Sequence, residues 1–347
     1  MTTQNVPEQN EANVLWESPF TGCALPLLAV FIGCICVLFV YQREHNRRES
    51  QPKTDYRSIP PEWITYRQTA VFPCSVFGQP TCFALRNDST FIIGTADPPT
   101  LLFIDGNGTL QRKIDLPEEP KAVVCGTSET ILTDKIIVAH PKHITVYTIE
   151  GKAEISWKLP DQKSAIQSLV LTPHHLFAAD SGKHSIYRFD TDGNLDLTFG
   201  EGFVVYASPI TMTYSPYSGL LYIANPGKHR IEVFTPDGIY KPELSWGEPS
   251  VNLSGFAGCC NPIGLATLDD GRILTVEKSV SRIKIFKTNG RLDGVVAGSS
   301  ILEAPPQESG RTSPKPNQHY FAAVVLSDGH IAVFDFSFVV IRVFVPL

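Results

Sequence analysis

Apolar residues recur at fixed distances before a series of glycines in this chain. In five consecutive copies, both the seventh and the fourth residue before the glycine are apolar. Successive glycines lie 43, 42, 45 and 52 residues apart, and they are Gly108, Gly151, Gly193, Gly238 and Gly290. The apolar residues at these positions are Leu101, Ile104, Ile144, Tyr147, Ile186, Phe189, Ile231, Phe234, Ile283 and Phe286. A period of this length predicts a protein built from stacked repeats.

Each copy reads as a set of short β-strands joined by tight turns. In the fifth copy, the runs 263–268, 272–276 and 282–286 are rich in β-branched residues, and the dipeptides Asp270-Gly271 and Asn289-Gly290 punctuate them. Asp-Gly and Asn-Gly favour hairpin turns, because these turns need positive φ. Four strands per copy and six copies predict an all-β fold, a six-bladed β-propeller.

The sixth copy is incomplete, because the chain ends soon after Ile341 and Phe344, which repeat the same three-residue offset. This copy lacks an outer strand. The alternating segment 64–72 precedes the first copy, and we expect it to supply that strand and so close the ring without an open edge. The predicted propeller covers residues 62–347.

A long uncharged segment precedes the propeller. No charged residue occurs from Ser18 to Gln42, and residues 20–41 are long enough as a helix to cross a membrane. An acidic tail (1–19) comes first, whereas a cleaved signal peptide begins with basic residues. We therefore predict an uncleaved single-pass transmembrane helix, with a charged, proline-containing linker at 42–61. Basic residues follow the helix and none precedes it, which favours a cytoplasmic propeller, although the side stays open.

Charge and motif content exclude several classes of function. The formal net charge is −6, and −5 of it falls on the residues after the linker. Nucleic-acid binding depends on clustered Lys and Arg, so no nucleic-acid partner is expected. The sequence contains no Cys-x-x-Cys pair, no phosphate-binding glycine loop and no nucleophile elbow, so no cofactor and no metal are expected.

Three segments resemble the NHL repeat. They are ADSGKHSIYRF with the following Asp192-Gly193 (from Ala179), ANPGKHRIEVFTPDG (224–238), and 258–286, which opens with GCCNP and resembles the fifth unit of bacterial NHL-repeat proteins. The resemblance extends over residues 80–347 and implies a six-bladed propeller. The NHL family includes lyases, RNA binders and protein-interaction modules, so the resemblance does not fix a function.

Polar residues recur at one position of the repeat. Asp180, Asn225 and Glu277 lie thirteen residues before their turn glycines, and Asp335 occupies the equivalent place in the last copy. They are either caps of a loop between strands or a ring of acceptors around one rim. His184 and His229 lie nine residues before the glycine and are interpreted as structural loop residues.

The adjacent Cys259 and Cys260 precede Asn261 in a loop. Three interpretations remain open for them: a packed pair of thiols, a vicinal disulfide, or a site for a soft metal.

The longest connections predict a binding face. If the strands of a blade are lettered a to d from the axis outwards, the b–c and d–a connections open on the same face. The two longest intervals carry their extra residues in d–a connections, at 241–260 and 298–318, on either side of blade five. Inserts on one face often mark a binding surface. Its candidate residues are Cys259, Cys260, Asn261, Glu277, Lys278, Asp180, Asn225 and Asp335.

The leading interpretation is a membrane-anchored, non-catalytic propeller that binds a protein or other ligand on this face. The alternative is a propeller hydrolase or lyase that uses acidic residues or a divalent metal near the central channel.

Overall fold

The computed structural model describes residues 37–38, 40–43, 55–74, 78–206, 208–306 and 320–347. The chain divides into two units, Met1–Asp55 and Tyr56–Leu347. In the first unit, residues 37–38 and 40–43 are helical. No helix within the described residues is long and apolar enough to cross a membrane. Most of the predicted membrane helix (20–41), the acidic tail and residues 44–54 of the linker lie outside the described residues.

The second unit consists almost entirely of short β-strands. Their bounds in chain order are β1 Tyr66–Pro73, β2 Pro80–Leu85, β3 Phe91–Ala96, β4 Pro99–Ile104, β5 Leu110–Asp115, β6 Ala122–Cys125, β7 Lys135–Ala139, β8 His143–Thr148, β9 Ala153–Lys158, β10 Ile166–Leu171, β11 Leu176–Asp180, β12 Ser185–Phe189, β13 Leu195–Phe199, β14 Met212–Ser215, β15 Leu220–Asn225, β16 Arg230–Phe234, β17 Gly264–Thr267, β18 Ile273–Glu277, β19 Arg282–Phe286, β20 Leu292–Ala297, β21 Phe321–Val325, β22 Ile331–Asp335 and β23 Val340–Pro346. One short helix, α1 (Ser299–Leu302), follows β20, and single 3-10 turns occur at Pro61–Trp63, Pro226–Lys228 and Pro242–Leu244.

These strands form six antiparallel sheets, each of which is one blade. Blade one is β2–β5, blade two β6–β9, blade three β10–β13, blade four β14–β16, blade five β17–β20, and blade six β21–β23 together with β1. The prediction of an all-β six-bladed propeller is confirmed.

Blade six is closed by the N-terminal strand, as predicted. Strand β1 pairs antiparallel with β23, with Phe72 opposite Ile341 and Tyr66 opposite Pro346. The ring therefore joins the two ends of the propeller by backbone hydrogen bonds and leaves no open edge at β23.

Blade four differs from the predicted pattern, because it has three regular strands. Residues 240–246 take the place of its outer strand through two isolated bridges, Phe234 to Tyr240 and Ile231 to Trp246. A continuous strand is prevented at Pro242, which begins a 3-10 turn and has no N–H to donate. The first part of the predicted 241–260 connection thus belongs to the edge of the blade.

The repeated apolar positions form the core between blades. Phe189 is 1% exposed and packs against Trp157 of blade two, with ring centroids 6.0 Å apart. The turn glycine Gly193 lies against the same indole, where a Cβ would come within 2.2 Å of a Trp157 ring atom, and its φ is +82°. The recurring glycine therefore allows both the tight turn and the close packing of the neighbouring blade.

The chain enters the propeller along the outside of blade five. The Tyr56 carbonyl accepts a hydrogen bond of 2.7 Å from the Arg282 guanidinium, and Arg57 pairs with Glu303. Further along, Ile64 forms a bridge with Val295 of β20. The last residues of the segment predicted as a solvated linker are therefore part of the propeller unit.

Candidate functional site

A buried polar residue lies at or next to the end of each b strand, on the b–c and d–a face. All six side chains are 0% exposed, and they are Thr95, His140, Asp180, Asn225, Glu277 and Asp335. Four of them are the residues that the sequence spacing indicates. Thr95 obeys the same spacing from Gly108, whereas His140 lies only eleven residues before Gly151 because its b–c turn is shorter.

Asp180 and Asp335 cap the b–c turns. One oxygen of Asp180 accepts hydrogen bonds from the amides of Gly182 and Lys183 at 2.9 and 3.0 Å, and from Ala165 in the preceding connection at 2.8 Å. Asp335 accepts from the amides of the next turn, including that of Ser337 at 2.9 Å. These are the bonds of a loop cap, and both side chains are shielded from solvent.

In blades four and five, the polar residue at the end of the b strand holds the preceding d–a connection. Asn225 Oδ1 accepts from the Val204 amide at 3.0 Å, and Glu277 Oε2 accepts from the Ala257 amide at 2.9 Å. The other end of the Asn225 amide donates to Glu232 at 3.0 Å. Each side chain therefore joins the connection to its own blade.

Blade five carries a buried charged pair beneath its connection. Lys284 Nζ lies 2.8 Å from Glu277 Oε1, and both side chains are 0% exposed. The ammonium donates to the carbonyls of Leu253 and Gly255 and lies 4.6 Å from the centroid of the Phe256 ring. Burial lowers the pKa of Lys284, although Glu277 opposes that change. Sequence alternation along β19 gave no indication that this lysine is internal.

Asn261 and Lys278 are joined in the same network. The Asn261 amide group donates to the carbonyls of Ala257 and Lys278, and its oxygen accepts from the Lys278 amide at 2.9 Å. The Lys278 ammonium lies 5.9 Å from the centroid of the Tyr320 ring. The structure thus brings together the blade-five candidates, whereas Asp180, Asn225 and Asp335 lie in separate blades.

The two adjacent cysteines are free thiols in contact. Their sulfurs are 2.8 Å apart, with Cys259 exposed and Cys260 buried. Interaction with Cys260 raises the pKa of Cys259, and the charge of Lys278 acts in the opposite direction. Elsewhere, burial raises the pKa of the thiols at Cys74, Cys82 and Cys125 to about 12.

A central channel of about 1140 Å³ runs between the innermost strands. Gln79, Lys121 and Tyr320 line it at the b–c and d–a face, and Arg86 and Asp269 line it near the opposite rim. Inside, the Thr213 and Thr267 hydroxyls form a hydrogen bond of 3.0 Å between blades four and five. Within the described part of the chain, no three His, Cys, Asp or Glu side chains converge as a metal site.

Exposed apolar residues occur on three successive d–a connections of the same face. Tyr206 is 76% exposed, Val251 58% and Tyr320 45%. They flank blades four and five and are named here as the connection patch. Sequence reasoning identified two of these connections but not the apolar residues on them, because loop residues follow no alternation that would show their exposure.

Comparisons with known proteins identify the fold. No protein-family model matches the sequence, and the search of curated proteins gave no match. A streptogramin B lyase structure superposes with a TM-score of 0.56 at 12% identity, over 83% of this chain and 100% of that chain. A virginiamycin B lyase from Staphylococcus aureus gives 0.55 at 12%, over 81% and 100%. A protein of unknown function from Bacteroides thetaiotaomicron gives 0.55 at 13%, over 81% and 75%. At such low identity these likenesses establish the propeller architecture alone.

Proposed function

We propose that this chain is a membrane-anchored propeller of the NHL type and that it binds a protein partner at the b–c and d–a face around blade five. The observation that carries the proposal is the connection patch, Tyr206, Val251 and Tyr320. Tyrosine is enriched at protein interfaces, because a rigid aromatic ring supplies contact area at a small cost in conformational entropy.

The connection of blade five is held in place before any partner arrives. Lys284 and Glu277 fix its backbone from below, and Asn261 ties its end to Lys278. A surface that is already ordered loses less entropy on binding, so more of the contact energy appears as affinity.

Assignment to the NHL type is supported by the repeat positions. His184 and His229 both occupy b–c turns with φ of +55°, and the turn glycines have positive φ. Asp180 and Asn225 hold neighbouring loops from equivalent strand ends. The four residues therefore serve the geometry of the repeat, as the resemblance implies.

Paired substitutions on the two faces test the binding surface. Tyr206→Ser with Tyr320→Ser removes the aromatic rings of the connection patch. The matched control, Tyr217→Ser with Ile239→Ser, changes residues that are 70% and 57% exposed at a–b and c–d turns of blade four, on the opposite face. Partner recovery from detergent-solubilised membranes is the measurement.

We expect the first pair to lose about 2 kcal/mol of binding energy, roughly thirtyfold in affinity, as at an interface hot spot. The control should keep its partner, and both variants should have the melting temperature of the wild type. Equal recovery by the patch variant and the wild type would contradict the proposed surface.

Membrane anchoring is tested separately by alkaline extraction. The full chain should stay in the membrane pellet, because residues 20–41 lack charge. A chain that starts at Tyr56 should appear in the supernatant. Release of the full chain together with the shortened one would exclude an integral anchor.

A further inference from the structure

The Cys259–Cys260 pair combines an accessible thiol with a protected one. The sulfurs lie 2.8 Å apart, and Cys260 is 1% exposed while Cys259 faces solvent. A disulfide bond measures about 2.05 Å, so the sulfurs need to approach by less than one ångström to become bonded.

The surrounding turn keeps the two sulfurs together. At one end the Ala257 amide donates to buried Glu277, and at the other Asn261 is bonded to the backbone of Lys278. Gly258, with φ of +74°, lies where a Cβ would come 3.1 Å from the Ser279 Cβ. A turn held at both ends has already lost the entropy that would otherwise oppose closure of a ring.

We propose that Cys259 and Cys260 form a reversible two-electron oxidation site that reacts with low-molecular-weight disulfides. The Cys259 thiolate attacks one sulfur of the small disulfide and releases the first small thiolate. The Cys260 thiolate then attacks Cys259 Sγ, which forms the Cys259–Cys260 bond and releases the second small thiolate. The two protons lost from the cysteines go to the two released thiolates, so the protein pair is oxidised and the small disulfide is reduced.

Peptide mapping of the full-length protein in detergent, after treatment with oxidised glutathione and alkylation of the remaining thiols, tests this site. In the wild type, the peptide that contains both cysteines should carry no alkyl group and should be two hydrogen atoms lighter than the free dithiol peptide. Dithiothreitol before alkylation should restore both thiols. Cys82 is buried and Cys74 and Cys125 are only partly exposed, and burial raises the pKa of all three thiols to about 12. They should therefore remain reduced, because the thiolate is the reactive form.

Two variants separate the steps. Cys260→Ser lacks the second thiol, so glutathione should accumulate as a mixed disulfide on Cys259. In Cys259→Ser, no glutathione should be found on Cys260, since its side chain is buried.

The proposal is overturned if the wild-type pair remains a dithiol at a glutathione potential that oxidises the unfolded chain. Accumulation of a stable glutathione adduct on wild-type Cys259 would overturn it equally, because Cys260 would then have failed to displace the small thiol. Both outcomes are read from the wild type, so a folding defect in either variant leaves the test intact.

Discussion

Glu277 and Lys284 form an ion pair of 2.8 Å that is wholly enclosed by blade five and its connection. The two residues are seven positions apart, on either side of the b–c turn. Asn225 and Glu232 repeat this arrangement in blade four with a hydrogen bond of 3.0 Å. The Glu277–Lys284 pair also binds the backbone of the connection that carries Val251. The stability of blade five is therefore linked to the shape of the proposed binding face.

Lys284→Met should destabilise the propeller strongly. Removing one member of a buried ion pair leaves an uncompensated charge and typically costs about 3 to 5 kcal/mol. Urea unfolding followed by tryptophan fluorescence measures the change. Lys183→Met is the matched control, because Lys183 pairs with Asp161 at the surface and exposed pairs contribute little.

The double variant Glu277→Leu with Lys284→Met should be more stable than Lys284→Met alone, because it removes both charges from the interior. If the single variant unfolds at the wild-type urea concentration, the pair is not enclosed as described.

Phe189→Ala should cost about 3 to 5 kcal/mol, since it leaves a cavity between blades two and three. The side chain is 1% exposed and packs against Trp157. Leu195→Ala in the same blade, at a position that is 39% exposed, should change the unfolding free energy by much less. Similar losses for the two variants would mean that the buried face of the blade is assigned incorrectly.

Loss of the closing strand should weaken the whole ring. A chain that begins at Pro80 lacks β1, whereas one that begins at Tyr56 retains β1 and the hydrogen bond from Arg282 to Tyr56. The shorter chain should melt well below the longer one in circular dichroism. Coincident melting curves would show that β1 is dispensable for closure.

Acid should destabilise the protein in part through His140. Burial, followed by the neighbouring His143, lowers the pKa of His140 below its usual value of 6.5. Just below pH 6.5, His140 is protonated in the unfolded state but stays neutral in the folded state. The free energy of unfolding therefore decreases as pH falls through about 6.5. Between about pH 8 and about pH 5 the wild type should therefore lose more stability than His140→Gln. An identical pH dependence of the two melting temperatures would exclude His140 as a contributor.

The periodic part of the fold was predictable from sequence, because positions such as Ile186 and Phe189 are set by local strand geometry. Closure of the ring by β1 was also predictable from sequence, since the sixth copy contains only three strands. The missing outer strand of blade four did not follow from the repeat, because Pro242 blocks it locally.

The candidate site was predictable in position but not in environment. The spacing identified Asp180 and Glu277, yet their partners, the amides of Ala165 and Ala257, are supplied by distant connections. Lys284 alternates with apolar neighbours as a solvent-facing residue would, and only the folded 247–262 connection encloses it. Burial of this kind depends on tertiary contacts that no local pattern encodes.

Site-specific photo-crosslinking tests the proposed binding face most directly. A photoreactive amino acid is placed in the full chain at Val251 or Tyr320 on the connection patch, and at Tyr217 or Ile239 on the opposite face. The full-length protein is then irradiated in intact cells. We expect a discrete crosslinked protein from Val251 and Tyr320 and none from the two control positions. The same crosslinked protein from Tyr217 and Ile239, with none from the connection patch, would contradict it.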